Sequence, residues 1–139
     1  MDDMQLNDVR LGEIMESGTA TVRIGEKPVL VLGDPERKEV CVLAAIGVPP
    51  DGGSEDFDRQ LLEEDFRLAA SGRSFLSFDS ESGKYMIGET FSSVGLDDEA
   101  LRGIITALDG TRDAWRARLA DVRPESPDGA TDDEGFIRG

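Results

Sequence analysis

The acidic loop DSESG, residues 79–83, is the stretch whose residue types come closest to a chemical site. Carboxylate and hydroxyl oxygens are ligands that calcium uses in proteins. A calcium loop of the EF-hand type needs a glutamate at its twelfth position, and counted from Asp79 that position is Thr90. Lys84 would also place a positive charge beside the ion. The loop is therefore predicted to be a hairpin turn without a metal, with Gly83 supplying a positive φ angle.

Other catalytic chemistry finds little support in the residue types. The sequence contains no histidine, which excludes Ser-His-Asp and Cys-His catalysis and removes the usual ligand of zinc and haem. Its single cysteine, Cys41, lies in the apolar run VCVLAAI, where a buried and inert thiol is favoured over a nucleophile. No nucleotide-binding or metal-binding motif is present. Carboxylate pairs remain possible, but acidic residues are spread along the whole chain and mark no cleft. We expect no enzyme and no cofactor.

The charge of the chain limits its partners. The net charge is -15, from 30 acidic and 15 basic residues, which argues against nucleic acid and against an anionic membrane surface. The longest apolar run, residues 40–48, falls short of the ~20 residues that a spanning helix needs. The acidic N-terminus lacks the order of a signal peptide, and one cysteine suits a reducing compartment. A location in the cytoplasm is expected.

The elements that would position these residues are those of a small α+β domain. The predicted helices are residues 3–16, 54–70 and 97–119, and the predicted strands are 19–24, 28–32, 39–48, 73–79 and 84–90. Short connections predict hairpins, so the order α-β-β-β-α-β-β-α should give a twisted, largely antiparallel sheet of five strands. The domain is expected to end near residue 120. Residues 121–139 are predicted to form a disordered acidic tail.

The second predicted helix carries two apolar stripes. One consists of Phe57, Leu61 and Leu68, and the other consists of Leu62, Phe66, Ala69 and Ala70. A surface helix needs only one stripe to join its own domain, so the second indicates another surface. The alternative is a single wide buried arc. We predict a homodimer held by Leu62, Phe66 and Ala69.

Two segments carry a resemblance to a known family. LLEEDFRLAASGRSFLSFDSESGKYMIG, residues 61–88, resembles the second helix, strand, D-x-x-x-G turn and strand of the class I type III secretion chaperones, the Tir chaperone (CesT-like) family. GLDDEALRGIITALDGTRDAWRARL, residues 95–119, resembles its closing helix, with the tryptophan near the end. The resemblance covers roughly residues 3–120.

The resemblance implies a homodimer in the bacterial cytoplasm. Such a chaperone binds the N-terminal segment of a secreted effector in extended form and keeps it soluble and secretion-competent without ATP. A regulatory or scaffold protein of the same fold with no secretion client is the alternative, because a fold does not fix a function. A small carboxylate-dependent enzyme is a third hypothesis, which would require two close acids in a deep polar pocket.

Apolar side chains not needed for the core would form the client surface. The residues expected to face the core from the first helix are Met4, Leu11 and Met15, which leaves Leu6 and Val9 toward solvent. Phe75 and Phe78 lie on alternating sides of one hairpin strand, and Tyr85 and Ile87 lie on one side of its partner. The predicted client-binding residues are Leu6, Val9, Phe75, Phe78, Tyr85 and Ile87.

Overall fold

Six strands and three helices make up the computed structural model, which describes residues 2–48, 55–70 and 72–121. The elements are β1 (Asp2–Gln5), a 3-10 turn (Leu6–Asp8), α1 (Leu11–Ser17), β2 (Thr19–Ile24), β3 (Lys27–Asp34), β4 (Glu39–Gly47), α2 (Glu55–Ala69), β5 (Ser74–Asp79), β6 (Lys84–Ser92) and α3 (Asp98–Asp121). The strands lie in the order β1-β2-β3-β4-β6-β5. The α+β class is confirmed, and the predicted count of five strands is corrected to six.

The additional strand replaces the first half of the predicted first helix. Asp2–Gln5 pairs in parallel with β2, and Met4 lies opposite Val22. The helix spans only Leu11–Ser17, and its C-cap, Gly18, has a φ of 90°. Pairing with β2 gives partners to the backbone groups of these residues that face β2, so the tertiary contact overrides the local helical periodicity. The prediction of one helix over residues 3–16 is therefore wrong for its N-terminal half.

The three helices lie on the same face of the sheet. A Cβ atom on Gly33 of β3 would meet the carbonyl oxygen of Ile14 in α1 at 2.9 Å, so α1 lies directly on β3. The ring of Phe57 in α2 lies 5.0 Å from that of Tyr85 in β6. Alternate residues of β4, Val40, Val42, Ala44 and Ile46, are buried under α3. The core is thus a single layer between the sheet and its helices.

Aromatic residues hold the two long helices together. Phe57 of α2 is fully buried and meets Trp115 of α3 edge to face, with ring centroids 5.9 Å apart. Trp115 is 5% exposed and belongs to the buried core. A buried aromatic pair of this kind contributes roughly 0.5–1.5 kcal/mol beyond the area it buries.

A buried arginine fastens α3 to β3. Arg112 is fully buried, donates a 2.6 Å hydrogen bond to the Pro28 carbonyl oxygen and pairs with Asp109 one turn earlier. Lys27 adds ion pairs to Asp109 and Asp113. The hydrogen bond between Lys27 and Asp113 raises the lysine pKa and lowers the aspartate pKa. Arg112 thereby gains the acidic partner that a buried charge requires.

Candidate functional site

The face of the sheet opposite the helices carries a continuous group of apolar side chains, here called the open face. Its members are Leu30, Leu32, Cys41, Leu43, Ala45, Phe75 and Met86. Each is partly buried, and none of them belongs to the cluster of buried residues and their packing partners that forms the core. Within the described parts of the chain, no helix lies over this face. A second apolar layer is therefore available to a partner.

The strand register brings these residues together. Leu43 on β4 lies opposite Leu30 on β3 and opposite Gly88 on β6. Gly88 in turn lies opposite Phe75 on β5. A Cβ atom on Gly88 would meet the Phe75 ring at 2.5 Å and a Leu43 methyl group at 2.7 Å. Because Gly88 has no side chain, Leu43 of β4 and Phe75 of β5 can both extend over β6. The open face is therefore continuous from β4 to β5.

A second exposed apolar region, here called the α2 surface, consists of Leu62, Phe66 and Phe78. Leu62 is 71% exposed and Phe66 is 83% exposed, whereas Phe57 and Leu61 on the other stripe are buried. Phe78 on β5 is 51% exposed. The two predicted stripes of α2 therefore do face different surroundings. Exposed residues of this size next to one another mark an interaction surface.

A pocket of about 490 Å³ opens between α2 and β5, next to the α2 surface. Its lining residues are Asp58, Leu61, Leu62, Asp65, Leu76, Ser77, Phe78 and Tyr85. Both aspartates are bound to the sheet, because Asp58 accepts a 2.6 Å hydrogen bond from the Tyr85 hydroxyl and Asp65 accepts one of 2.8 Å from the Leu76 amide. Burial and the Asp58 carboxylate raise the pKa of Tyr85 to about 12. The pocket is an apolar depression, and its two aspartates connect α2 to the sheet.

The structure does not bring the predicted client-binding residues to one surface. Val9, Tyr85 and Ile87 are buried in the core, at 0%, 6% and 3% exposure. The expectation that Val9 faces solvent is wrong, because Val9 lies in extended backbone between the 3-10 turn and α1 and points inward. Leu6 is partly buried against the core.

The two remaining phenylalanines lie on opposite faces of the sheet. Phe75 belongs to the open face and Phe78 to the α2 surface. Of the predicted dimer residues, Leu62 and Phe66 are exposed, which leaves them accessible to a second copy. The side chain of Ala69 and the predicted tail beyond residue 121 lie outside the described part of the structure.

The DSESG loop is a turn, as predicted. The carbonyl oxygen of Asp79 accepts a hydrogen bond from the Gly83 amide, and the Asp79 carboxylate accepts bonds from Glu81 and from the Ser82 hydroxyl. These bonds lower the pKa of Asp79. Gly83 has a φ of 72°. In residues 2–48, 55–70 and 72–121, no three acidic or cysteine side chains are grouped as a metal site would require.

Sequence reasoning missed the open face, although a signal for it was present. β3 reads PVLVL and β4 reads VCVLAAI, so neither strand alternates apolar with polar residues. A strand that is apolar at every position has both faces in apolar surroundings. Only one of those faces is covered by the helices here. The helices of the described segments are also too short or too polar to span a membrane.

Comparison with solved structures finds the same fold in several protein complexes. The first, the ExsC-ExsE complex, has a TM-score of 0.63 at 24% identity, over 75% of this chain and 77% of that one. The HopA1-SchA chaperone-effector complex has a TM-score of 0.60 at 17% identity, over 75% and 79%. The ExoU-SpcU complex from the type III secretion system of Pseudomonas aeruginosa has a TM-score of 0.57 at 15% identity, over 76% and 85%.

Comparison with curated protein sequences finds no significant match. The family model of the Tir chaperone protein (CesT) family, however, matches residues 12–116. The matched segment runs from α1 to the last turns of α3 and contains the sheet from β2 to β6, so it includes both the open face and the α2 surface. The chain belongs to the Tir chaperone protein (CesT) family.

Proposed function

We propose that this protein is a type III secretion chaperone that binds a segment of a secreted effector in the bacterial cytoplasm. Binding keeps that segment soluble and ready for secretion, without ATP and without catalysis. The observation that carries the proposal is the open face, an apolar sheet surface left uncovered by the described helices in a chain of this family. One structural relative supports it, because the HopA1-SchA complex pairs a chaperone with an effector.

The dimensions of the open face suit a polypeptide segment. Strands β3, β4, β6 and β5 are neighbours, so the face is roughly 14 Å wide at ~4.8 Å per strand. An α-helix is about 10 Å across, so one amphipathic helical segment of a client fits over Leu43, Phe75 and Met86. Each client side chain buried there contributes roughly 1.5–3 kcal/mol, offset by the cost of ordering the client.

The charge of the chain supports the same role. With a net charge of -15, the complex stays soluble even when its client is apolar and unfolded. The open face itself is bordered by polar positions of β2, where Thr19, Thr21 and Arg23 lie in register with β3. An apolar surface with a polar margin on an acidic protein is suited to hold a client without aggregation.

We also propose that the protein is a homodimer through the α2 surface. Leu62 and Phe66 are one helical turn apart and point the same way. A two-fold axis that sets two α2 helices antiparallel would place Leu62 of one copy against Phe66 of the other. Arg59, Arg67 and Arg118 lie beside Glu63 and Glu64 around the exposed phenylalanine, so both signs of charge are available at the rim.

Affinity copurification with mass spectrometry from the native cell tests the proposed function. The wild-type protein should capture a secreted effector through that effector's N-terminal segment. The variant Leu43→Asp with Phe75→Asp should reduce capture at least tenfold, since two charges would enter the apolar layer. Val94→Asp is the matched control, because Val94 is 69% exposed and lies outside the open face. Capture of a protein that is not secreted, or equal capture by the double variant, would contradict the proposal.

A further inference from the structure

A pocket of about 660 Å³ lies at the end of the sheet where β4 begins and β6 ends, between Gly72, which follows α2, and Leu96, which precedes α3. Among the described residues that line it are three cations and one acid: Arg37, Lys38, Arg73 and Glu39. This excess of positive charge occurs in a chain of 30 acidic and 15 basic residues. The pocket, here called the basic pocket, therefore favours an acidic occupant.

The cations of the basic pocket lie beside apolar side chains. The Arg73 guanidinium lies 5.4 Å from the centre of the Phe91 ring, and Val94 is 69% exposed. The carbonyl oxygen of Lys38 accepts a 2.8 Å hydrogen bond from the Ser93 amide, which connects the turn before β4 to the segment after β6. An occupant that fits this lining combines carboxylates with an apolar side chain.

A groove between α2 and α3 leads toward the basic pocket. The two helices are antiparallel, because Phe57 near the start of α2 meets Trp115 near the end of α3. The groove is lined on α3 by small residues, Ala107, Gly110 and Ala114, and Arg67 and Arg118 lie beside them. A Cβ atom on Gly110 would have no neighbour within 4 Å, so an extended chain can lie along the groove without displacing a side chain.

The sequence that follows α3, residues 122–139, is here called the tail. Within it, residues 131–137 read TDDEGFI, which places three acids just before two apolar residues. α3 has 24 residues and is about 36 Å long at 1.5 Å per residue. Residues 122–131 reach up to ~36 Å when extended, which is enough to bring the three acids from the end of α3 to the level of its start.

We propose that residues 131–137 of this chain bind in the basic pocket, with their acids at Lys38 and Arg73 and the Phe136 ring against Val94. The tail reaches the pocket along the groove between α2 and α3. Docking covers cations that would otherwise attract the acidic surface of a second copy, since the net charge of each copy is -15. The contact needs no effector, because both partners belong to the same chain.

Disulfide formation between the tail and the domain tests the proposal. All variants carry Cys41→Ser, which removes the native thiol, and Gly135→Cys, which leaves the acids and Phe136 of the tail unchanged. One variant adds Ser92→Cys, an exposed position that lines the basic pocket. The control adds Val48→Cys, which is also exposed.

The control position lies near the point where the tail leaves α3. Val48 follows Gly47, whose Cβ atom would meet a methyl group of Leu119 at 3.0 Å. A tail without a binding site therefore reaches position 48 more often than position 92, which lies at the other end of α3. Docking in the basic pocket reverses this preference.

Equilibration of the full-length variants in a glutathione redox buffer gives the effective concentration of each thiol pair. The pair at positions 92 and 135 should exceed the pair at positions 48 and 135 at least tenfold. An equal or higher value for the control pair would overturn the proposal. A disulfide between two copies in place of the intramolecular bond would also overturn it, because the tail of a second copy would then fill the pocket.

A charge reversal in the tail tests the same contact without altering the folded domain. Asp132→Lys with Asp133→Lys should lower the effective concentration of the pocket pair at least tenfold and leave the control pair unchanged. Adding Lys38→Glu with Arg73→Glu to that variant restores opposite charges, so the pocket pair should recover to within about threefold of its original value. A pocket pair that ignores the tail reversal would overturn the proposal.

Discussion

The hydroxyl of Tyr85 donates a 2.6 Å hydrogen bond to the Asp58 carboxylate, and this bond joins β6 to α2 beneath the pocket. The tyrosine ring also lies 5.0 Å from Phe57 and 5.4 Å from Phe78. Tyr85 thus fixes the rotation of α2, because Asp58 cannot turn away without losing the bond. That rotation is what buries Leu61 and leaves Leu62 and Phe66 exposed for a second copy.

The first prediction concerns alkaline pH. The raised pKa of Tyr85, about 12, means that the folded state holds this proton more tightly than the unfolded chain, whose tyrosine pKa is about 10. The resulting stabilisation is fully present below about pH 10 and is lost as the pH rises toward 12. Tyr85 is the one tyrosine of the sequence, so its titration can be followed by ultraviolet absorbance without interference from another.

Tyr85→Phe provides the control for that titration. The variant should lose about 1 kcal/mol at neutral pH because the hydrogen bond to Asp58 is gone, and its stability should no longer decline through the tyrosine titration. Chemical denaturation at several pH values measures both effects. A wild-type tyrosine that titrates near pH 10 in the folded protein would contradict this explanation.

The second prediction concerns the buried arginine. Arg112→Ala should lower the free energy of unfolding by roughly 3–5 kcal/mol, because the Pro28 carbonyl oxygen and Asp109 lose their partner in a buried site. Arg37→Ala is the matched control, since its side chain is 79% exposed, and it should change stability by less than about 0.5 kcal/mol. Urea denaturation compares the two. Similar small losses of stability in both variants would show that the interactions of Arg112 contribute little to the free energy of unfolding.

The third prediction concerns the glycines of α3. A Cβ atom on Gly103 or on Gly110 would have no neighbour within 4 Å, so neither glycine serves close helix packing. Gly103→Ala and Gly110→Ala should each stabilise the fold by about 0.5–1 kcal/mol through helix propensity. Gly88→Ala is the contrasting variant, because its Cβ would collide with Phe75, and it should destabilise. A thermal melt in which the α3 variants are less stable would contradict the account.

The fourth prediction concerns the dimer. Phe66→Asp should convert the protein to a monomer in sedimentation velocity at micromolar concentration, because a charge would enter the α2 surface. Val94→Asp removes a similarly exposed apolar side chain elsewhere and should leave the dimer intact. A wild-type protein that sediments as a monomer at these concentrations would contradict the proposed homodimer.

The sequence pattern predicted most elements of the fold, because the residues that determine each of them are close together in the chain. The hairpins, the Gly83 turn and the start of the last helix depend on neighbouring residues. At that helix start, the Asp97 carboxylate accepts the Ala100 amide at 2.7 Å. β1 depends on an edge presented by β2, so periodicity within residues 3–16 could not reveal it. The predicted exposure of Val9 is wrong for the same reason. That prediction assumed a helix over residues 3–16, but the helix begins only at Leu11.

The candidate site was predicted less well than the fold. The two stripes of α2 were readable because helical periodicity separates Leu61 from Leu62. The open face required knowledge of which side of the sheet the helices cover, and that depends on long-range packing between α3 and β4. Continuous apolar strands indicated two apolar faces but not which of them is free.

The alkylation rate of Cys41 tests the central claim most directly. This thiol is partly buried on the open face, and burial raises its pKa, so the reaction is run with a maleimide at mildly alkaline pH. Stoichiometric binding of the copurified effector segment should slow the reaction at least tenfold. A thiol placed by Val94→Cys in a Cys41→Ser protein should react equally with and without the segment. An unchanged rate at Cys41 in the saturated complex would show that the client does not cover the open face.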